Sequence, residues 1–174
     1  VNSQHIHMLS NDEIYFHINP FLEKENIKLP TDKNWLNTAA DLIRPELVTL
    51  DESPECFNII FNKELELQSD CAEYLDEKSL EIMSTWNQLI LDVTTQHISI
   101  DQFNEFVKQI STQCDVKGKK LFMTLRVAVT AKTSGFDLKT LASLVEVKTL
   151  QYRVAKILKQ YSHSVSYTHL RAHE

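Results

Sequence analysis

The chain has 174 residues, of which 43% are hydrophobic and 24% are charged, and its formal net charge is −6. This length and composition are typical of a globular protein with one or two cores. No run of about 18 apolar residues occurs, so the sequence predicts no membrane-spanning helix. The acidic balance argues against general affinity for nucleic acid.

The N-terminal half contains most of the helix-boundary signals. Ser10-Asn-Asp-Glu13 has the spacing of a capping box, and so does Ser99-Ile-Asp-Gln102 further along. Residues 32–43 have helical periodicity, and Pro45 predicts that this helix ends or kinks at Arg44. These signals predict helices that begin near positions 10, 32 and 99.

The distribution of helix breakers extends this prediction to the rest of the chain. All four prolines lie within the first 54 residues, and the only two glycines are Gly118 and Gly135, so residues 55–162 contain few breakers. The segment FNIIF at 57–61 is compatible with a strand, although five residues cannot be distinguished from a buried helical turn. We therefore predict an all-α protein.

The cysteines indicate the redox environment. Cys56, Cys71 and Cys114 are odd in number, widely separated and without histidines at zinc spacing. This pattern predicts free thiols in a reduced, intracellular protein. The first residues, VNSQHIHML, contain no initiating methionine and no signal pattern, so we expect a fragment of a longer protein.

The stretch GKKLFMTLRVAVTAKTSGFDLKTL, residues 118–141, combines both glycines with a dense group of cations. Helical spacing predicts an apolar face and a polar stripe. The apolar face contains Leu121, Leu125, Ala128 and Val129, and the stripe contains Lys119, Arg126, Thr130 and Thr133. Gly118 would permit a tight entry into this helix and Gly135 a left-handed exit. Arg126 then needs either a buried acidic partner or an outlet through the stripe.

Basic residues are concentrated in one part of the sequence. Residues 117–161 contain ten lysines and arginines but only two acidic residues, Asp137 and Glu146. A basic sector on an acidic body suits a polyanion that binds in one orientation. A solvated, lysine-rich helical surface is the alternative explanation of the same pattern.

The segment KGKKLFMTLRVAVTAKTSGFDLKTLASL resembles the anticodon-binding region of bacterial-type glutamyl-tRNA synthetases. NSQHI followed by LS and PFL, and later WLNTAADLIRPELVTLDESP, resemble earlier stretches of the same region. The resemblance implies an α-helical bundle or cage that reads a tRNA anticodon, with tRNA-Glu as partner and tRNA-Gln as a second candidate. It also implies a monomeric cytoplasmic enzyme that uses ATP and Mg, whose catalytic signatures lie outside this chain. We therefore expect no catalytic residue and no cofactor site here.

The resemblance also implies roles for individual residues. Arg126 matches an arginine that contacts an anticodon base, and Phe136 and Leu138 fall where the family packs apolar groups against that base. Charge alone indicates that three lysines meet phosphates: Lys117, Lys119 and Lys120. Glu46 stands where some members carry an arginine that discriminates the third anticodon base, with Arg44 as a compensating cation. Because a carboxylate cannot donate hydrogen bonds and repels phosphate, we expect relaxed discrimination.

This chain departs from the family pattern in the same region. Thr124 and Phe136 replace prolines, and Ala131 replaces a glycine. We expect the chain to be in two helical parts, anticodon-binding subdomains of residues 1–70 and 71–162. The remaining residues, 163–174, resemble translated vector sequence and are expected to be a non-native tail.

Two other functions are compatible with parts of this sequence. An all-helical protein-interaction module without an RNA partner would share the same helical pattern. Metal binding was considered for His169, His173 and Glu174 and for His5 and His7, but neither set offers a third ligand at fitting spacing. The sequence favours RNA binding over both.

Overall fold

The computed structural model describes the backbone of residues 3–172 and the side chains of residues 3–161. Within this part of the chain the regular structure is entirely helical, which confirms the all-α prediction. The α-helices in chain order are α1 (Ser3–His7), α2 (Asn11–Lys24), α3 (Lys33–Ile43), α4 (Ser53–Phe61), α5 (Glu77–Leu91), α6 (Ile100–Cys114), α7 (Lys119–Thr130), α8 (Leu138–Leu144) and α9 (Val147–Ala172). Three short 3-10 helices cover Arg44–Glu46, Leu50–Glu52 and Ser69–Tyr74.

The predicted boundary signals act as expected. Ser10 and Ser99 each accept a hydrogen bond from the amide of the third helical residue, whose side chain accepts from the cap amide in return. Both capping boxes are therefore complete, and each satisfies two amides that the helix leaves without partners. Helix α3 ends at Ile43, and Arg44–Glu46 continues as a 3-10 turn because Pro45 lacks an amide hydrogen.

The strand interpretation of residues 57–61 is wrong, because these residues form the second half of α4. Pro54 lies in the first turn of α4, where its missing amide hydrogen costs nothing. The phenylalanines at both ends of FNIIF then lie on one helical face. Phe57 and Phe61 stack at a centroid distance of 6.2 Å, and Trp35 stacks on Phe61 at 5.5 Å.

The exit from α7 also differs from the prediction. The helix ends at Thr130, and Ala131 adopts the left-handed conformation with a φ of 59°, so Gly135 is not the residue that ends it. The amide of Ala131 donates to the carbonyl of Val127, and its own carbonyl accepts from the amide of Gln68. Gly135, with a φ of 138°, belongs to the following loop. Gly118 acts as predicted, as the N-cap of α7 with a φ of 70°.

One hydrophobic cluster extends through both predicted subdomains. Helix α5 packs against α6, α7 and α9, while α3 packs against α8. The indole of Trp35 donates from Nε1 to the carbonyl of Leu144 at 3.0 Å, which joins the early helices to α8. Trp86 is fully buried at the other end of the cluster. The division into residues 1–70 and 71–162 stays a prediction.

Within residues 3–172 no helix combines the length and the apolar character that crossing a membrane requires. The backbone of α9 continues to Ala172. The side chains of the proposed tail, residues 163–174, lie outside the described residues. Its non-native origin stays a prediction.

Candidate nucleic-acid interface

Arg126 lies half-buried on α7 and opens onto a pocket of about 220 Å³. Its Nη1 donates to the carbonyl oxygen of Phe136 at 2.7 Å, and the described side chains offer it no ion pair. The pocket is lined by Phe103, Asn104, Phe122, Met123, Arg126, Asp137, Leu138 and Lys139. Of the two alternatives for Arg126, the outlet through a polar surface is the one observed. Its positive charge remains available at an open pocket.

Phe136 and Leu138, the two apolar residues expected near the same base, are both largely buried. Phe136 is 7% exposed and Leu138 is 6% exposed. Leu138 contributes to the pocket wall, whereas Phe136 is not among the lining residues. The structure therefore brings the carbonyl group of Phe136 to Arg126 and keeps the ring in the core.

Two lining residues were missed by the sequence analysis. Phe122 is 48% exposed and lies one helical turn before Arg126 on α7. Asn104 is exposed on α6, next to the buried Phe103. The spacing of four residues between Phe122 and Arg126 places both on one face, and this signal was available in the sequence. The sequence does not show that residues of α6 line the same pocket as residues of α7.

The polar stripe predicted for α7 is only partly observed. Lys119 and Arg126 reach the surface, but Thr130 is buried and donates to the carbonyl of Arg126. Thr133 lies beyond the end of the helix and donates to a carboxylate oxygen of Asp70. Thr124, at the position of a family proline, is fully buried.

The three lysines before and within the first turn of α7 differ in their contacts. Lys117 and Lys119 are exposed and form no ion pair within the described residues. Lys120 lies 2.7 Å from Asp76 and 5.7 Å from the centroid of the Tyr74 ring. Burial raises the pKa of Asp76, but its hydrogen bonds with Lys120 and Ser79 lower the pKa by more. The carboxylate of Asp76 therefore offsets part of the positive charge of Lys120.

The start of α7 is electropositive for a second reason. Gly118 supplies no side-chain cap, and the first turn contains no acidic residue. Lysines in the first turn add to the positive end of the helix dipole. Lys119, the first-turn lysine without an ion pair among the described residues, and the helix dipole together give this end of α7 a positive charge that Asp76 offsets only at Lys120.

Ion pairing reduces the charge of the rest of the basic sector. Lys139, Lys148 and Lys156 pair with carboxylates at 3.0, 3.2 and 2.6 Å. Five residues of the sector are exposed or half-buried and form no ion pair within the described residues: Lys117, Lys119, Arg126, Lys132 and Lys159. Four of them, Lys117, Lys119, Arg126 and Lys132, lie on α7 or within two residues of its ends, which marks this helix as the centre of the available positive charge.

Arg44 and Glu46 lie on the 3-10 turn after α3, and neither lines the Arg126 pocket. Nη1 of Arg44 lies 3.1 Å from Asp41, its Nη2 donates to Asn11, and its side chain is only 16% exposed. Glu46 is exposed. The structure therefore presents the carboxylate to solvent and holds the guanidinium against its own neighbours.

A second arginine, Arg153 on α9, is far more buried, with 4% of its surface exposed. Its guanidinium donates to the carbonyls of Val129 at 2.7 Å, Ile59 at 2.6 Å and Asn62 at 2.7 Å. Burial lowers the pKa of Arg153 to about 10, which leaves it protonated at neutral pH. It forms part of the wall of a cavity of about 330 Å³ beside α9, and sequence analysis gave it no role.

The remaining candidate groups are the three cysteines and the possible metal ligands. The three cysteines are free, and burial followed by Glu52 raises the pKa of Cys56 to about 11. Among the described residues no three His, Cys, Asp or Glu side chains are placed to hold a metal ion. The side chains of His169, His173 and Glu174 lie outside the described residues.

Comparison with known proteins gives this geometry a family context. A curated glutamate–tRNA ligase from Bdellovibrio bacteriovorus is 31% identical over 159 residues, which cover 91% of this chain and 32% of that protein. The glutamate–tRNA ligase from Bacillus subtilis is 27% identical over 163 residues, covering 90% and 33%. The chain thus spans about a third of the length of the curated relatives it matches.

The fold has solved counterparts. A crystal structure of a glutamate tRNA ligase from Elizabethkingia meningosepticum, in complex with its amino acid, superposes with a TM-score of 0.78 at 13% identity. The match covers 92% of this chain and 31% of that one. A glutamate-tRNA synthetase from Elizabethkingia anophelis superposes with a TM-score of 0.72. The family described as "Anticodon binding domain" matches residues 13–158, and this chain therefore belongs to the anticodon binding domain family.

Proposed function

We propose that this chain is the tRNA anticodon-binding part of a glutamate–tRNA ligase. The observation that carries the proposal is Arg126, whose guanidinium has no acidic partner among the described residues and lines an open pocket in a chain of this family. Unstacked bases of single-stranded RNA are held by arginine and by stacking on planar groups. The family assignment and the position of Arg126 support the same function.

The partner in this proposal is tRNA-Glu. The parent enzyme in this proposal attaches glutamate to it with ATP and Mg, and we expect the residues for that chemistry outside this chain, which spans about a third of the length of its curated relatives. We expect the parent enzyme to be cytoplasmic and monomeric. Both helical subdomains, residues 1–70 and 71–162, would contribute to the tRNA surface.

Phosphate contacts fall to Lys117 and Lys119, which are exposed and form no ion pair within the described part. The positive charge at the start of α7 supports this role, because a phosphate there would offset both the lysines and the helix dipole. Lys120 contributes less, since Asp76 already holds its ammonium group.

The proposal is tested by titrating the 174-residue chain with tRNA-Glu, tRNA-Gln and an unrelated tRNA at two salt concentrations. We expect tRNA-Glu to bind best and Arg126→Ala to weaken binding by about 1–3 kcal/mol. Lys148→Ala is the matched control, because it also removes one positive charge but from an exposed side chain that pairs with Glu146. Equal binding of all three tRNAs, unaffected by Arg126→Ala, would overturn the proposal and favour a protein-interaction module.

Relaxed selectivity at the third anticodon base is a separate part of the proposal, and it depends on Glu46. An exposed carboxylate repels phosphate and offers no donor to a base, while Arg44 is held by Asp41 and Asn11. Glu46→Arg should therefore increase the preference for tRNA-Glu over tRNA-Gln. Glu55→Arg makes the same charge change at an exposed position on α4 to which the resemblance gives no role, and it controls for the change in charge. An unchanged preference in Glu46→Arg would remove this residue from the site.

A further inference from the structure

We infer that Phe122 and Asn104 complete the base-binding pocket of Arg126: Phe122 stacks on one unstacked RNA base, and Asn104 bonds to the edge of that base. This inference rests on the proposed function and adds two residues that neither the resemblance nor the charge pattern singled out. It also assigns the contact with the face of the base to Phe122 rather than to Phe136.

Exposure separates the two phenylalanines. Phe122 is 48% exposed and lines the pocket, whereas Phe136 is 7% exposed and presents its carbonyl to Arg126. A base can stack only on a ring face that solvent reaches. An exposed phenylalanine loses favourable burial unless a partner covers it, and an aromatic side chain gives a sequence-tolerant platform for any base.

The placement of Phe122 is specific to this pocket. The other large hydrophobic side chains exposed in the described part, Met8, Phe16, Val48, Leu91 and Tyr152, do not line it. Phe122 lies one turn before Arg126, so the ring and the guanidinium approach the pocket from the same helical face. Stacking and hydrogen bonding can therefore act on the same base.

Asn104 supplies what Arg126 lacks. A guanidinium only donates hydrogen bonds, whereas a carboxamide both donates and accepts. No hydrogen bond within the described residues uses the Asn104 side chain, and the residue lines the pocket from α6, whereas Arg126 lines it from α7. A base with acceptor atoms towards Arg126 and a mixed edge towards Asn104 would satisfy both.

The other polar residues of the pocket are already engaged. Asp137 accepts from Lys139 at 3.0 Å and caps α8 by accepting from the amide of Thr140. Burial raises the pKa of Asp137, but its hydrogen bonds with Thr140 and Lys139 lower the pKa by more than burial raises it, which keeps the carboxylate ionised. The volume of about 220 Å³ is below the usual range of about 300–1,000 Å³ for ligand pockets, which suits a single base.

The test uses the 174-residue chain and anticodon stem-loop RNAs of tRNA-Glu with 2-aminopurine at each anticodon position in turn. We expect quenching at one position in the unmodified chain, its loss in Phe122→Ala and its retention in Phe122→Trp. Affinity should fall about 5- to 150-fold in Phe122→Ala, with an unchanged salt slope because stacking releases no counterions. Phe16→Ala, which removes another exposed phenylalanine, is the matched control and should change neither readout.

The role of Asn104 is tested by the preference for tRNA-Glu over an unrelated tRNA, and not by affinity alone. Asn104→Ala should reduce the ratio of affinities for tRNA-Glu and an unrelated tRNA by about fivefold or more, as expected for one lost base contact. If Phe122→Ala and Asn104→Ala both behave like the unmodified chain while Arg126→Ala weakens binding, the inference is overturned and the proposed function stands. If the unmodified chain does not prefer tRNA-Glu, both are overturned. Circular dichroism of each variant separates these outcomes from misfolding.

Discussion

Arg126 and Arg153 lie on helices that pack against each other, α7 and α9, yet their surroundings differ. One carbonyl group accepts from Arg126, at the edge of an open pocket, whereas three carbonyl groups accept from the buried guanidinium of Arg153. Neither has an ion pair within the described residues. A guanidinium with five donors has capacity left for a ligand only when the protein uses few of them.

The carbonyls around Arg153 show its structural purpose. Val129 lies near the end of α7, and Ile59 and Asn62 lie at the end of α4, where helix carbonyls have no partner within the helix. Arg153 thus satisfies the ends of two helices from a third. The same residue type satisfies helix ends in one region and lines an open pocket in the other.

The largest expected effect is the loss of stability in Arg153→Met. Removing the guanidinium leaves buried carbonyls without donors, at about 1–3 kcal/mol each, so the free energy of unfolding should fall by about 3 kcal/mol or more. Urea denaturation followed by circular dichroism measures the loss. Arg153→Lys, which keeps the charge and part of the hydrogen bonding, should recover some of it. A change below about 1 kcal/mol would show that water can replace the guanidinium.

Arg126→Met should change the stability little and the tRNA affinity more. Only one carbonyl, that of Phe136, loses its donor at a half-exposed position, so we expect a change in unfolding free energy of about 1 kcal/mol. The loss should appear instead in tRNA affinity. If urea denaturation shows Arg126→Met to be as destabilised as Arg153→Met, the contrast between the two arginines fails.

Ala131, the C-cap of α7, lines the cavity beside Arg153 and offers a stabilising change. Its φ of 59° is unfavourable for an L-residue by about 1–2 kcal/mol, so Ala131→Gly should raise the free energy of unfolding by about 1 kcal/mol once the lost methyl contact is included. Thermal denaturation is a sufficient measurement. Ala128→Gly, inside the same helix, should lower stability by about 1 kcal/mol. Equal signs for the two variants would rule out backbone strain as the cause.

The smallest expected effect compares neighbouring lysines. Lys119→Ala should reduce the salt slope of tRNA binding by about one, as expected for a lost phosphate contact. Lys120→Ala should reduce it less, because Lys120 already lies against Asp76. A binding titration at three or more salt concentrations distinguishes the two variants. Equal slopes would mean that the ion pair opens when RNA binds.

The fold was predictable because its signals are local. Each complete capping box lies within four residues of sequence, and the scarcity of proline and glycine after residue 54 leaves helices as the default. Residues 57–61 were ambiguous because an apolar run of five carries no period, and Pro54 was the deciding signal. The end of α7 was misplaced because contacts of Ala131 with Gln68, distant in sequence, stabilise an unfavourable conformation.

The candidate site was predictable only in part. Arg126 and Leu138 were identified by resemblance, and the structure places both at one pocket. The pocket wall on α6 and the burial of Phe136 depend on how distant helices pack, which a pattern along one segment does not contain. Arg153 was missed for the same reason, since its three acceptors belong to α4 and α7.

The contacts of Arg153 also determine the order in which the chain completes its fold during synthesis. Its bond to the carbonyl of Ile59 spans 94 residues, and the bond of Trp35 to Leu144 spans 109. At translation rates of about 5–20 residues per second, the carbonyls at the end of α4 await Arg153 for roughly 5–20 seconds. Until then water solvates them, so α4 leaves the ribosome before Arg153 can bond to the carbonyls at its end. A ribosome pause between α4 and α9 would lengthen that exposed interval directly.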